Sequence, residues 1–130
     1  MGIQELSPKH CHDLREADPG VILLDVRSAE EYAEGHPRGS LNVPVFFFEP
    51  EGKRENPAFV EEARLHATDP SRRVILSCRS GVRSLKACAL LEAAGYEHLV
   101  NLRGGFLGSR DASGALLEAG WQAAGLPTGP

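Results

Sequence analysis

No stretch of this 130-residue sequence approaches the run of about 20 apolar residues that a bilayer-spanning helix requires, so no transmembrane segment is expected. Met1 to Pro8 shows neither a basic n-region nor an apolar h-region, and Leu6 stands where a myristoylation pattern wants Ser or Thr. A cytoplasmic location is the expectation. Cysteine is scarce: the three residues at 11, 78 and 88 are an odd number without CxxC spacing. That count speaks against a disulfide framework and against a zinc site, and it fits a reducing compartment. Positive charge is in deficit, with 14 Lys and Arg against 18 Asp and Glu and a net charge of −4. General affinity for nucleic acid or for anionic membrane is therefore not expected, and any anion site has to be local. Internal repeats, low-complexity tracts and interdomain linkers are also lacking.

What is present reads as one domain over residues 1–130, with 42% hydrophobic and 25% charged residues, enough for a core without disulfide staples. Short apolar runs alternate with helical patterns, the signature of an α/β fold with a mainly parallel sheet and helices on both faces. Ile3 to Leu6 reads as a short strand. Ser7-Pro8 caps and starts a helix to about Ala17. Val21 to Val26 is a continuous apolar strand bounded by Pro19-Gly20. Ser28 and Glu31 form a capping box for a helix to Glu34, which Gly35 ends. Leu41-Asn42-Val43 is a brief strand. Val45 to Asn56, with Phe46-Phe47-Phe48 inside it, lacks a clean period and is expected to be a loop pinned by one or two buried rings. Pro57 starts a helix to about His66, and Val74 to Ser77 is the central strand. A helix follows to Ala94-Gly95, then a strand over His98 to Leu102 and a last helix over Ala115 to Ala124.

The chemistry concentrates in Cys78-Arg79-Ser80-Gly81-Val82-Arg83-Ser84, between the central strand and the next helix. A thiol there lies at the carboxyl end of a parallel strand, where ligands of open α/β sheets bind. Backbone N–H groups of such a loop and the helix N-terminus favour negative charge, and two arginines add full charges. Cys78 is thus expected to ionise readily and to attack an anionic substrate. Gly81 permits the tight turn, Arg83 can orient an oxyanion or brace the loop through its planar fork, and Arg79 points outward. Cys88 lies on the apolar face of its helix and is read as core packing. His10, Cys11 and His12 point in different directions and cannot converge on a metal, so Cys11 is read as surface or semi-buried. Asp25 and Arg27 end a buried strand, where charges need partners. His36, between Gly35 and Pro37, is read as a structural turn residue.

The Cys78 to Ser84 loop resembles the active-site loop of the rhodanese-type sulfurtransferases. Leu24-Asp25-Val26-Arg27, Glu31-Tyr32, Gly35-His36, Gly39-Ser40 and Asn42-Val43-Pro44 resemble the family's first signature. Asn101-Leu102-Arg103-Gly104-Gly105-Phe106, Gly120-Trp121 and Gly125-Leu126-Pro127 resemble its closing segment. The resemblance runs from about Leu23 to Pro127 and implies a rhodanese-like three-layer sandwich. It also implies a two-step reaction. Cys78 takes a sulfur atom from thiosulfate or a similar small anionic donor, and the backbone N–H groups of Arg79, Ser80, Gly81, Val82 and Arg83 hold the persulfide. The sulfur then passes to cyanide, a thiol or a protein acceptor, with ping-pong kinetics and without metal or organic cofactor. Asp25, Arg27 and Ser84 take supporting roles in holding the loop.

Two alternatives stand beside this one. A carrier module would hand its sulfur to one partner protein. A phosphatase on the same fold would carry Cys-x5-Arg, whereas four residues separate Cys78 from Arg83, a smaller cradle suited to a single sulfur atom. The sequence departs from the family pattern at Pro37-Arg38 and at Leu107 to Ala119, which intervenes before Trp121. If that insert folds beside Cys78, it is expected to set acceptor specificity.

Overall fold

A computed structural model describes residues 2–129. In chain order its elements are β1 (Ile3–Leu6), α1 (Pro8–Ala17), β2 (Ile22–Asp25), α2 (Ala29–Glu34), β3 (His36–Pro37), β4 (Leu41–Asn42), β5 (Phe46–Glu49) and β6 (Gly52–Glu55). They continue with α3 (Phe59–His66), β7 (Val74–Ser77), α4 (Arg83–Ala93), β8 (Leu99–Leu102), β9 (Ser109–Arg110), β10 (Leu116–Glu118) and β11 (Thr128–Gly129).

Five strands form a parallel sheet in the order β1-β8-β7-β2-β4. Its centre is built from the apolar runs of β2, β7 and β8, which are buried on both faces as parallel strands must be. Successive side chains point to opposite sides, so each run feeds two cores. Leu24, Val74 and Leu76 meet Phe59 and Ala63 of α3 and Ala87, Cys88 and Leu91 of α4. Leu23, Ile75, Val100 and Leu102 meet Cys11 of α1 together with Phe106 and Trp121. Helices thus cover both faces, giving the expected α/β architecture. Local capping sets the helix starts. Ser7 Oγ accepts from the His10 N–H at 3.2 Å, and the Ser28–Glu31 box closes in both directions. The helix expected from Pro57 begins two residues later at Phe59, because Asn56 Oδ1 first accepts the Ala58 N–H in a turn.

Three expectations are corrected. Val45 to Asn56 is not a loop but largely the antiparallel hairpin β5–β6. It has little apolar periodicity because cations cover its rings: Lys53 Nζ lies 4.5 Å from the Phe46 ring and the Arg54 guanidinium 5.0 Å from Phe47. Phe46 is buried, while Phe48 is 54% exposed.

Residues 115–124 do not form a helix. Leu116–Glu118 pairs with Ser109–Arg110, and a turn follows. Asp111 Oδ1 accepts the N–H groups of Ser113 and Ala115, which folds the hairpin tip. Trp121 is fully buried and its indole N–H donates to Pro127 O at 2.7 Å, so packing of that ring overrides helix propensity.

Cys11 is fully buried rather than at the surface or semi-buried, because the sheet-facing side of α1 carries it. Burial pushes its thiol up to about 12. His36, expected in a turn, is buried in β3, where it pairs with β11, stacks on Tyr32 at 3.6 Å and places Nδ1 2.7 Å from Tyr32 O.

Candidate active site

Strand β7 ends at Ser77, and α4 starts at Arg83, so Cys78 opens a five-residue connection at the carboxyl edge of the sheet. The connection is clamped by the segment after β8. The Phe106 N–H donates to Cys78 O at 2.7 Å and the Leu107 N–H to Arg79 O at 2.9 Å. Such close backbone contact needs a residue without a side chain. A Cβ on Gly105, at φ +60, would sit 2.7 Å from the Arg79 carbonyl carbon and closer still to Cys78 O.

Inside the loop, the Gly81 N–H donates to Cys78 Sγ at 3.1 Å, with Gly81 at φ +99. Among the described residues it is the one backbone donor to the sulfur of the unmodified thiol. Ser84 Oγ lies 3.3 Å from the same sulfur and donates its proton to Asn101 Oδ1. Asn101 Nδ2 donates to Gly81 O and to Glu5 Oε1, each at 3.1 Å. Cys78 itself is 1% exposed, so the sulfur is reached only by the narrow end of a reactant.

Arg83 does not reach toward an open oxyanion position. Its Nη1 and Nη2 donate to the two oxygens of Glu31 at 2.8 and 2.9 Å, so the fork braces the loop against α2. These bonds, with the Ser28 N–H adding to them, hold the Glu31 carboxyl down at about 2 against the opposing effect of burial. The same pairing raises the Arg83 guanidinium.

Above the loop opens a cleft of about 510 Å³ whose walls include Phe48, Lys53, Arg79, Ser80, Val82 and Arg83. Arg79 and Val82 are exposed, Ser80 partly so. With Glu31 neutralised by Arg83, Lys53 and Arg79 leave the mouth positive. Phe48 flanks it, with the Arg83 guanidinium 5.3 Å from the ring.

Asp25 and Arg27 form a buried pair with Nη2–Oδ2 at 2.8 Å. Arg27 also donates to Gly35 O at 2.6 Å and lies 4.6 Å from the Phe106 ring. Arg27 thus meets the Cys78 loop through Phe106, and Asp25 lies in register with Ser77, the residue before Cys78. The insert touches the loop at Leu107, whose N–H donates to Arg79 O, while the walls of the cleft named above come from other segments. Sequence reasoning missed Glu5 and Lys53 as site neighbours, and Glu31, read as a cap and as part of the first signature, was not paired with Arg83. Asn101 was visible as part of the closing signature, without a role.

The model of the rhodanese-like domain matches residues 7–112, most of the chain. The chain belongs to the rhodanese-like domain family. Thiosulfate sulfurtransferase 16, chloroplastic, of Arabidopsis thaliana is 36% identical over 118 residues, covering 91% of this chain and 86% of that protein. Rhodanese-like domain-containing protein 17 of the same plant is 37% identical over 94 residues, covering 69% of this chain. This rhodanese-like domain spans 58% of that relative's length. The crystal structure of Rv0390 from M. tuberculosis superimposes with a TM-score of 0.79 at 31% identity, covering 97% of this chain and 96% of that one. Among the described residues no helix is long and apolar enough to cross a membrane.

Proposed function

We propose that this rhodanese-like domain is a thiosulfate-type sulfurtransferase with Cys78 as its nucleophile. The observation that carries the reading is the position of the thiol, at the floor of a short loop and beneath a cationic mouth. The Cys78 thiolate attacks the outer sulfur of thiosulfate. A bond forms between the two sulfurs, the sulfur–sulfur bond of thiosulfate breaks, and sulfite leaves with its electron pair. The persulfide's outer sulfur then passes to a nucleophilic acceptor, and the thiolate returns. Arg79 and Lys53 draw the dianion in, Gly81 supplies the nearest N–H, and Arg83 keeps the loop in shape through Glu31. The name of the Arabidopsis relative, a thiosulfate sulfurtransferase, supports the same chemistry.

A phosphatase would need an acid to protonate a leaving alkoxide. The carboxyl in the cleft wall, Glu31, is held ionised down to about pH 2 by Arg83 and cannot serve. Intact mass before and after thiosulfate treatment tests the proposal. The wild type should gain one reducible sulfur and Cys78→Ser none. A wild type that stays unmodified but hydrolyses an aryl phosphate reverses the assignment.

A further inference from the structure

Behind the nucleophile runs a chain of four side chains drawn from different parts of the fold: Cys78, Ser84 on α4, Asn101 on β8 and Glu5 on β1. Its directions can be worked out from the donors available. Two acceptors, Gly81 O and Glu5 Oε1, converge on one end of the Asn101 amide, so that end is the NH2. The other end, Oδ1, faces Ser84 and accepts the hydroxyl proton. A serine has one proton to give. With it turned to Asn101, Ser84 can only accept from Cys78, and the contact between them is S–H to oxygen.

We propose that Asn101, oriented by Glu5 and Gly81 O, is a positioning residue that withholds the Ser84 proton from Cys78. The proposal rests on Cys78 being the reactive thiol. When the thiol proton leaves to solvent, the sulfur keeps the Gly81 N–H as its neighbouring donor and gains none from Ser84. A thiolate with few hydrogen bonds is the stronger nucleophile. Once Sγ carries a second sulfur it has neither proton nor charge, and the Ser84 hydroxyl remains satisfied by Asn101. The buried hydroxyl is thereby uncoupled from the state of the sulfur, where an unheld one would have to reorient at each half-reaction.

The charged groups around Cys78 are common to every variant compared below. They are Arg79 and Arg83, Lys53 in the cleft wall, the Glu31 carboxylate bound to Arg83, Glu5 on β1, and the Asp25–Arg27 pair. Arg103 is engaged by Glu118. Cys88, one turn beyond Ser84 on α4, is kept neutral, its thiol pushed up to about 12 by burial.

The test is the pH profile of iodoacetamide alkylation, followed by mass at Cys78. If Ser84 only accepts, Ser84→Ala leaves the profile in place or moves it to lower pH, since the neutral thiol loses its acceptor. If Ser84 solvated the thiolate, the same change would move the profile to higher pH, and that result overturns the proposal. Asn101→Leu frees the hydroxyl to donate and should lower the profile by about one pH unit, with a slower limiting rate. In the Ser84→Ala background Asn101→Leu should shift nothing; an equal shift with and without Ser84 also overturns it. Thiosulfate labelling of the same proteins separates the two readings. A wild type that takes up no sulfur defeats sulfur transfer, while the sign of the Ser84→Ala shift still decides the role of Asn101.

Discussion

The guanidinium of Arg83 meets the carboxylate of Glu31 fork to fork, at 2.8 and 2.9 Å, and so ties the first turn of the helix behind Cys78 to the first turn of α2. The two residues lie 52 positions apart. One is the last residue of the cysteine-to-arginine spacing, the other the fourth and last residue of a capping box, and together they brace the loop.

The pair has a pH signature. The Glu31 carboxyl falls from an ordinary 4.5 to about 2 in the folded protein, chiefly through Arg83. A depressed carboxyl stabilises the fold above its unfolded value, and that contribution is lost as pH falls from about 4.5 towards about 2. Glu31→Gln should cost about 1 kcal/mol at neutral pH, as a partly exposed charge-assisted pair does. The deficit should shrink by about pH 3. Urea unfolding of both proteins at the two pH values checks this; an equal deficit at both would show that the charge is not what matters.

The three thiols should separate by reactivity. Cys11 and Cys88 are fully buried, and burial pushes each up to about 12. A small alkylating agent should modify Cys78 alone in the folded protein and all three in urea. Because Cys78 is only 1% exposed, a bulky aromatic disulfide should react much more slowly than iodoacetamide. Peptide mapping after each treatment reads the result, and early labelling of Cys88 would contradict it.

Gly105→Ala should damage stability and chemistry together. The added Cβ would press on the carbonyls of Cys78 and Arg79 from a backbone with φ +60. A loss of at least about 2 kcal/mol is expected. Persulfide formation should slow by more than the unfolded fraction explains, as measured by sulfur uptake corrected for folded protein.

Reversing a charge at the mouth should affect capture rather than chemistry. Lys53 lies in the cleft wall on an exposed strand. Lys53→Glu is expected to raise KM for thiosulfate several-fold and to weaken its salt dependence, while kcat and stability change little. Steady-state kinetics at two ionic strengths distinguish this from a general loss of activity.

The elements that the sequence revealed are those whose signal is local. The apolar runs at Val74 to Leu76 and Val21 to Val26 can only be satisfied between two layers, and Ser28 with Glu31 specifies a helix start within four residues. The exposed hairpins carried no such signal. Phe46 to Glu49 is held to Gly52 to Glu55 by cross-strand pairs in which Lys53 and Arg54 cover aromatic rings, a pattern that looks like an irregular polar loop when read in one dimension. Leu116 and Leu117 fall in the segment expected to be the last helix, yet both are exposed in a strand. In the site, Cys78 and its loop were legible because charge, glycine and a strand end coincide. Glu5 was not, since its bond to Asn101 spans 96 residues and no local pattern encodes it.

That span has a consequence for how the protein comes into being. The strand Ile3–Leu6 lies at the sheet edge and finds its partner only in Leu99–Leu102. Contacts of such separation carry a large loop-closure cost and form late. During synthesis β1 must wait for a strand 96 residues downstream to emerge. Until it docks, Asn101 lacks one of the two acceptors that orient it. The thiol's surroundings are therefore completed by one of the last contacts to form, and an incompletely folded chain carries its cysteine without them.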